Sequence, residues 1–275
     1  MKRLLYLSLT ILAWTACGTS TTKDNDPWGH LDPGQGEAQS ASMNRTIHSN
    51  AMNRDMTFSV WLPGGYDEKK TYPFLYLLHG YEDSNQNATW NRCWLDKGNA
   101  AYIADQYQKS SGSVAMVIIM PNGLDKFYVW DNYEEFFENE LMPKVESDFH
   151  CNGKRAIAGL SMGGFGTLWH ATKFPTKFTY AYAMSPAASM MGMDPKNNIN
   201  AASDKSVFPA FTIELGNQDY TVSNSDAKSL ANHMTKNGIT CELIERDGTH
   251  DWAFWQACLP KALIKVGQSF QGTSN

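Results

Sequence analysis

A five-residue motif, Gly-Leu-Ser-Met-Gly at positions 159–163, constrains the fold of this chain more than any other feature. In such a G-x-S-x-G elbow a buried strand turns sharply into a helix, and the serine takes a strained conformation that only small neighbours tolerate. The apolar run 156–158 predicts the strand, and apolar side chains at helical spacing in 165–172 predict the helix. The motif therefore predicts Ser161 as an exposed nucleophile, with the N–H of Met162 aimed at a developing oxyanion.

Short apolar runs alternate with amphipathic segments along the rest of the chain. Besides the strand before Ser161, the runs predict strands at 56–62, 73–78, 114–120, 180–184, 211–215 and 241–245. Helical periodicity predicts further helices at 99–108, 133–149, 225–237 and 252–267, the second kinked by Pro143. This alternation indicates an α/β fold with a mainly parallel sheet covered on both faces. With an elbow on such a sheet, we expect the α/β-hydrolase architecture.

The partners of the nucleophile are predicted from their order and from the strands that they follow. In this architecture the acid and then the histidine follow the serine along the chain, in loops at the carboxyl ends of strands. His250 lies directly after the last predicted strand, and Asp219 follows the strand before it. We expect His250 as the general base and Asp219 as the acid that orients it. Glu214 is the rival acid, but it falls within a strand and should point into a packed face.

The loop after the second predicted strand should supply the other oxyanion donor. The strand ends in Leu-Leu-His-Gly-Tyr, so the N–H of Tyr81 is the expected partner of the Met162 N–H. His79 is more readily explained as a brace for this loop than as a base, and we count it among the candidate substrate-binding residues. Tyr128 and Trp130, after the strand ending at residue 120, are the other predicted substrate contacts, since aromatic rings suit an acyl group or a sugar.

Composition narrows the classes of function. The chain has 275 residues, of which 42% are hydrophobic and 19% charged, which suits one large domain with a full core. Its net charge of −5 offers no basic surface for a phosphate backbone, so nucleic acid is not an expected partner. The cysteines have neither C-x-x-C spacing nor a neighbouring His cluster, so no metal site is expected. Export would permit disulfides, and of the possible pairings a bond between Cys241 and Cys258 is favoured.

The first residues resemble a targeting segment. Lys2 and Arg3 precede an apolar stretch, and small residues then lead to Cys17, which predicts an export signal at 1–16 and lipidation of Cys17. Ordinary secretion is the alternative, because a Trp stands where such signals usually have Leu. The polar residues 17–44 predict a flexible tether, and 45–272 the α/β domain. The protein is thus expected at the outer membrane or cell surface, held by a lipid anchor only, or else in the periplasm or medium.

Four blocks of sequence taken together resemble one family, esterase D. They lie in order at 76–80, 159–164, 216–219 and 248–251. Within that family the likeness is greatest to the feruloyl esterase and acetylxylan esterase domains of carbohydrate esterase family one, and it spans about residues 45–270. The resemblance implies the same nucleophile, acid, base and oxyanion amides, no cofactor, and an ester of a plant polysaccharide as substrate. One departure affects the acyl pocket: Glu-Asp-Ser-Asn at 82–85 replaces the Gly-Gly pair of many feruloyl esterases.

The sequence leaves several functions open. Feruloyl and acetyl esters of xylan are the leading substrates, and a related esterase could act on another ester, such as that of a siderophore. Transfer of the acyl group to a sugar instead of water would use the same residues. A surface protein that binds glycan without catalysis is the alternative outside the enzymes.

Overall fold

A computed structural model describes residues 40–82 and 89–272, and its framework is an eight-stranded mixed sheet. The strands are β1 (Ala41–Ser49), β2 (Arg54–Leu62), β3 (Tyr72–Leu78), β4 (Val117–Pro121), β5 (Cys151–Leu160), β6 (Tyr180–Met184), β7 (Ala210–Gly216) and β8 (Cys241–Arg246). They lie in the order β1-β2-β4-β3-β5-β6-β7-β8, and every pair from β4 to β8 is parallel. The carboxyl ends of β3, β5, β7 and β8 therefore meet at one edge, where the predicted site residues follow them.

Helices cover both faces of the sheet, as predicted. They are α1 (Cys93–Asp96), α2 (Ala100–Lys109), α3 (Tyr133–Glu135), α4 (Met142–Asp148), α5 (Ser161–Lys173), α6 (Pro195–Ala201), α7 (Asn224–Lys236) and α8 (Trp252–Gln271). Alternate residues of β3 enter different cores: Phe74 and Tyr76 pack with α3 to α7, and Leu75 and Leu77 pack with α1, α2 and α8. A strand buried on both faces reads as a continuous apolar run, which is why the sequence predicts it well.

The structure corrects the predicted start of the domain. Strand β1 begins at Ala41, so residues 41–44 belong to the sheet and not to the tether. Along β1 most side chains are exposed, and it pairs on one side only, with the antiparallel β2. An edge strand of this kind carries polar residues such as Arg45 and lacks an apolar alternation that would predict it. The predicted export segment, Cys17 and the rest of the tether lie outside the described residues.

The helix predicted with a kink at Pro143 is instead interrupted by a π-helical segment, Phe136–Leu141, between α3 and α4. The N–H of Met142 donates to the carbonyl of Phe137, five residues back. Proline lacks an N–H and its ring collides with the carbonyl four residues earlier, so the wider turn accommodates it. The segment buries Glu138.

The predicted disulfide between Cys241 and Cys258 is not formed. All cysteines in the part of the chain that the structure describes, Cys93, Cys151, Cys241 and Cys258, are free thiols. Cys258 is fully buried, and its sulfur accepts a hydrogen bond from Nη2 of Arg246 at 3.1 Å. Across residues 40–82 and 89–272, no helix combines the length and apolar character needed to cross a membrane.

Candidate active site

Ser161 lies at a sharp turn between β5 and α5, as the motif predicts. It is the first residue of α5 and has φ +52°, in the left-handed region that L-residues rarely adopt. The neighbouring glycines are needed for space: a Cβ on Gly159 would lie 2.4 Å from the carbonyl oxygen of Gly163. A Cβ on Gly163 would lie 2.5 Å from the carbonyl oxygens of Leu78 and His79. The elbow therefore requires glycine at both positions and brings the end of β3 against the start of α5.

The structure brings Ser161, His250 and Asp219 into one hydrogen-bonded series. Nε2 of His250 lies 2.9 Å from Oγ of Ser161, and Nδ1 lies 2.7 Å from Oδ2 of Asp219. An ionised carboxylate only accepts, so Nδ1 carries the proton and Nε2 is left to accept from the serine hydroxyl. The other oxygen of Asp219 accepts the N–H of Thr221 at 2.9 Å, which fixes the carboxylate. The imidazole is therefore in the tautomer that can remove a proton from Ser161.

The loops that carry the acid and the base are joined by Gln218. Its backbone N–H donates to the carbonyl of Gly248 at 2.9 Å, and its side-chain Oε1 accepts the N–H of Gly248 at 2.6 Å. Asp251, just after His250, caps α8 by accepting the N–H of Phe254 at 2.9 Å. Sequence reasoning missed Gln218, because an exposed amide in a loop has no pattern of its own. Its place directly before Asp219 was the only available signal.

The rival acid, Glu214, is occupied elsewhere, as its position within a strand suggested. Its carboxylate is fully buried and accepts from Lys261 at 2.8 Å, Tyr182 at 2.5 Å and Arg246 at 2.5 Å. Burial would raise the pKa of Glu214, but the hydrogen bonds of these three groups lower it below its usual value. Glu214 thus links β6, β7, β8 and α8, whereas the carboxylate that meets Nδ1 of His250 is that of Asp219.

The two predicted oxyanion donors, the backbone amides of Met162 and Tyr81, belong to segments that lie next to Ser161. The N–H of Met162 belongs to the first turn of α5, where helical N–H groups have no partner within the helix. Tyr81 follows Gly80, and a Cβ on Gly80 would lie 3.3 Å from Cβ of Ser161. The loop after β3 therefore runs beside Ser161, with the side chain of Tyr81 exposed.

The structure contradicts two of the predicted substrate contacts. Tyr128 is fully buried, and its hydroxyl donates to the carbonyl of His79 at 3.1 Å. His79 is also buried, with Nδ1 2.6 Å from the carbonyl oxygen of Gly80 and Nε2 accepting the N–H of Gly123 at 2.8 Å. Both side chains are buried against the loop after β3 and hold it by hydrogen bonds, so neither can touch a substrate. Trp130 is half-buried beside Phe127, and its role stays a prediction.

Several aromatic side chains lie around the hydrogen-bonded series. The ring of Trp255 meets that of His250 edge to face at a centroid distance of 5.0 Å, and Trp252 packs against Trp255 at 5.3 Å. Tyr220, next to Asp219, is 90% exposed, and Tyr81 is 55% exposed. Exposed rings one residue from the acid and at the loop after β3 are available to a ligand. No group of His, Cys, Asp or Glu within the described ranges is arranged to hold a metal ion.

Comparisons with known proteins identify the family of this chain. A family model described as "Putative esterase" matches residues 49–266. An acetyl esterase of Caldicellulosiruptor saccharolyticus is 25% identical over 273 residues, covering 81% of this chain and 96% of the relative. An endo-1,4-beta-xylanase/feruloyl esterase of Xylanibacter ruminicola is 26% identical over 233 residues, which cover 78% of this chain but 30% of that longer protein.

Solved structures show the same architecture. A ferulic acid esterase superposes with a TM-score of 0.76 at 27% identity, covering 85% of this chain and all of the other. A ferulic acid esterase of Anaeromyces mucronatus, at 20% identity, shares the fold with a TM-score of 0.70 over 87% of this chain and 95% of its own. The predicted α/β-hydrolase fold is confirmed. By its family match and its relatives, this chain belongs to the esterase family and is an esterase enzyme.

Proposed function

We propose that this protein is an exported carboxylic-ester hydrolase that releases feruloyl or acetyl groups from plant cell-wall xylan. The observation that carries the proposal is the pair of hydrogen bonds made by His250, 2.9 Å to Ser161 and 2.7 Å to Asp219. A nucleophile in contact with a base, and a base oriented by a buried acid, form the arrangement that acyl transfer needs.

The first half of the reaction acylates Ser161. Its Oγ attacks the ester carbonyl while Nε2 of His250 takes the hydroxyl proton, which yields a tetrahedral oxyanion and an imidazolium. The carboxylate of Asp219 stabilises that imidazolium through Nδ1–H. As the tetrahedral intermediate collapses, the bond to the sugar oxygen breaks, and His250 returns the proton to this leaving alcohol.

The second half restores the enzyme. Water enters, His250 takes one of its protons, and the resulting hydroxide attacks the acyl-enzyme carbonyl. The acid leaves when the bond to Ser161 Oγ breaks and the proton returns to the serine. In both halves, the amides of Tyr81 and Met162 are the proposed donors to the oxyanion; loss of one such donor typically lowers kcat by about 10²–10³-fold.

The substrate class rests on the relatives and on exposed aromatic groups. One relative is named an acetyl esterase, and another joins a feruloyl esterase to a xylanase. Tyr81 and Tyr220 expose rings beside the loop after β3 and the acid, where a feruloyl ring or a sugar could stack. Trp130 remains a further candidate contact.

The proposed location follows from the start of the sequence. Export through residues 1–16 and a lipid on Cys17 would hold the enzyme on the outer face of the cell by a tether ending near Ser40. Insoluble plant polysaccharide is available only outside the cell. Globomycin treatment of expressing cells, or mass spectrometry of the mature N-terminus, tests the anchor: a lipidated Cys17 supports it, and a free N-terminus at another residue contradicts it.

Acid release from two substrates tests the activity. Purified full-length protein is incubated with methyl ferulate and with acetylated xylo-oligosaccharide, beside Ser161→Ala and the matched surface variant Ser225→Ala. Ferulate release that Ser161→Ala loses and Ser225→Ala keeps would support the feruloyl assignment, and acetate release alone would assign an acetylxylan esterase. Activity on neither substrate would refute the xylan assignment, and siderophore esters would be assayed next.

A further inference from the structure

Four buried side chains outside the Ser161 series form a network beneath the loop after β3. They are His79, Tyr128, His170 and Glu138, each at most 5% exposed. His170 lies on α5, the helix that starts at Ser161, and Glu138 lies in the π-helical segment. None of the steps proposed above uses these residues. Their hydrogen bonds nevertheless connect the π-helical segment and α5 to the loop that carries Tyr81.

His170 lies between two hydrogen-bond acceptors of the network. Nδ1 of His170 lies 2.6 Å from Oε1 of Glu138, and Nε2 lies 2.9 Å from the carbonyl oxygen of Tyr128. Because a carboxylate and a carbonyl both only accept, both ring nitrogens of His170 face hydrogen-bond acceptors. Lys177 donates to the other oxygen of Glu138 at 2.5 Å. Burial would raise the pKa of Glu138, but His170 and Lys177 together lower it below its usual value.

Tyr128 connects His170 to the loop after β3 through two hydrogen bonds. Its carbonyl is held by His170, while its hydroxyl donates to the carbonyl of His79 at 3.1 Å. The imidazole of His79 is fixed in turn, between the N–H of Gly123 and the carbonyl of Gly80. The amide of Tyr81 comes next in the chain, beside Ser161. The position of that amide therefore depends on where Tyr128 is held.

The segment around Tyr128 requires such support because its backbone is strained. Five non-glycine residues within nine positions have positive φ: Leu124 at 48°, Phe127 at 50°, Tyr128 at 63°, Asp131 at 53° and Asn132 at 67°. This left-handed conformation is unfavourable for residues other than glycine, least so for Asn and Asp. A strained segment persists only where its surroundings hold it, and strain of this kind concentrates at functional sites.

The energetics of the ion pair also favour a positioning role over a stabilising one. Replacing a buried ion pair by apolar residues of similar size is often neutral or stabilising, so stability alone is a poor reason to keep Glu138 and His170. A buried polar pair with fixed hydrogen-bond partners instead specifies one arrangement of the backbone around it. The π-helical segment, a rare element that recurs at functional sites, is what brings Glu138 into the pair.

We propose that Glu138, His170 and Tyr128 are positioning residues for ester hydrolysis, which hold the loop after β3 so that the Tyr81 amide meets the oxyanion. This inference rests on the proposed catalytic role of Ser161 but not on the natural acyl group. The network touches neither the substrate nor the reacting atoms. It acts through His79 on one of the two oxyanion donors.

The test uses the full-length protein, 4-nitrophenyl acetate as a general ester, and two tyrosine variants. Tyr128→Phe removes only the hydroxyl that donates to His79. Tyr180→Phe is the matched control, because it also removes one buried hydroxyl, bonded to Thr212 at 2.7 Å, at the far end of β6. Active sites are titrated so that kcat is expressed per functional enzyme. Inhibition by a trifluoromethyl ketone, which forms a tetrahedral adduct with a serine nucleophile, reports on the oxyanion donors directly.

Tyr128→Phe is expected to lower kcat per active site by about 10-fold. The effect is smaller than the loss of about 10²–10³-fold on removal of an oxyanion donor, because the Tyr81 amide remains but is held less well. KM should stay within about two-fold of the wild-type value. The inhibition constant of the ketone should rise about 10-fold, in parallel with the fall in kcat, since kcat and the inhibition constant both depend on the stabilisation of a tetrahedral oxyanion. Glu138→Gln should act in the same direction, and Tyr180→Phe should leave both quantities unchanged.

Other results would overturn the inference. Wild-type kcat per active site and ketone inhibition in Tyr128→Phe, with only a lower Tm, would make the network purely structural. If Glu138→Gln does not fold, Tyr128→Phe decides alone. Failure of the proposed catalytic role of Ser161 looks different, because the wild type itself would then neither hydrolyse 4-nitrophenyl acetate nor bind the ketone, and the positioning role would be refuted with it.

Discussion

His79 should make this protein sensitive to mild acid. Full burial of the imidazole lowers its pKa from 6.5 to about 4, only partly opposed by the hydrogen bond to Gly80. The folded state therefore holds the neutral ring, whose Nε2 must remain unprotonated to accept the N–H of Gly123. In the unfolded chain the same ring gains a proton near its usual pKa. Stability from this group is complete above the unfolded pKa and is lost as the pH falls from 6.5 toward 4.

The size of the effect follows from the two pKa values. A separation of about 2.5 units corresponds to about 3 kcal/mol of unfolding free energy over the whole range. About 2 kcal/mol of this should already be lost between pH 7.5 and pH 5. Stopping at pH 5 limits the contribution of Glu138 and Glu214, whose pKa values lie below the usual range for a carboxyl group.

Urea unfolding at pH 7.5 and pH 5 measures the loss, with His79→Gln as the comparison. The amide oxygen of glutamine can still accept from Gly123 but does not titrate. The wild type should lose about 2 kcal/mol more than His79→Gln over this interval, a difference that cancels contributions from the other histidines. Equal losses in the two proteins would refute a neutral, buried His79.

Three further predictions follow from the geometry. Asp219→Asn should lower kcat by about 10³–10⁴-fold with little change in KM, because an amide that donates to Nδ1 would favour the wrong tautomer of His250. Steady-state kinetics on 4-nitrophenyl acetate test this prediction, and an unchanged kcat would show that Asp219 has no part in the mechanism. Gly163→Ala should lower the free energy of unfolding by about 1–3 kcal/mol, since its Cβ would lie 2.5 Å from two carbonyl oxygens. Urea unfolding measures this loss, and wild-type stability of the variant would contradict the close approach. Without reductant, alkylation in denaturant should modify every cysteine of the described residues, and an unmodified pair in the mass spectrum would reveal a disulfide.

The residues of the hydrogen-bonded series could be predicted because each has a local pattern and a fixed place after a strand. Ser161 lies in a motif whose glycines are required by close backbone contacts. Asp219 and His250 follow neighbouring parallel strands, so the order of elements along the chain brings them together. A buried parallel strand is also the element that hydrophobic runs predict most directly, since both of its faces are apolar.

The errors concern features that depend on long-range packing. Tyr128 follows a strand end as a substrate-contacting residue would, but strained turns fold its ring under the loop, and nothing local in the sequence indicates that. Glu138 looks like a solvent-facing helical residue until the π-helical segment turns it inward against His170. Strand β1 is polar because it lies at an edge, so the apolar pattern that identifies its neighbours is absent.

The most direct test of the central claim is to find which residue a fluorophosphonate probe modifies covalently. Full-length protein and the variants Ser161→Ala and His250→Ala are incubated with the probe, digested and analysed by mass spectrometry. We expect a single modified residue, Ser161, with labelling lost in Ser161→Ala and slowed by orders of magnitude in His250→Ala, because the base activates the hydroxyl. Modification of another serine, or undiminished labelling in either variant, would contradict the account of Ser161 as a nucleophile activated by His250.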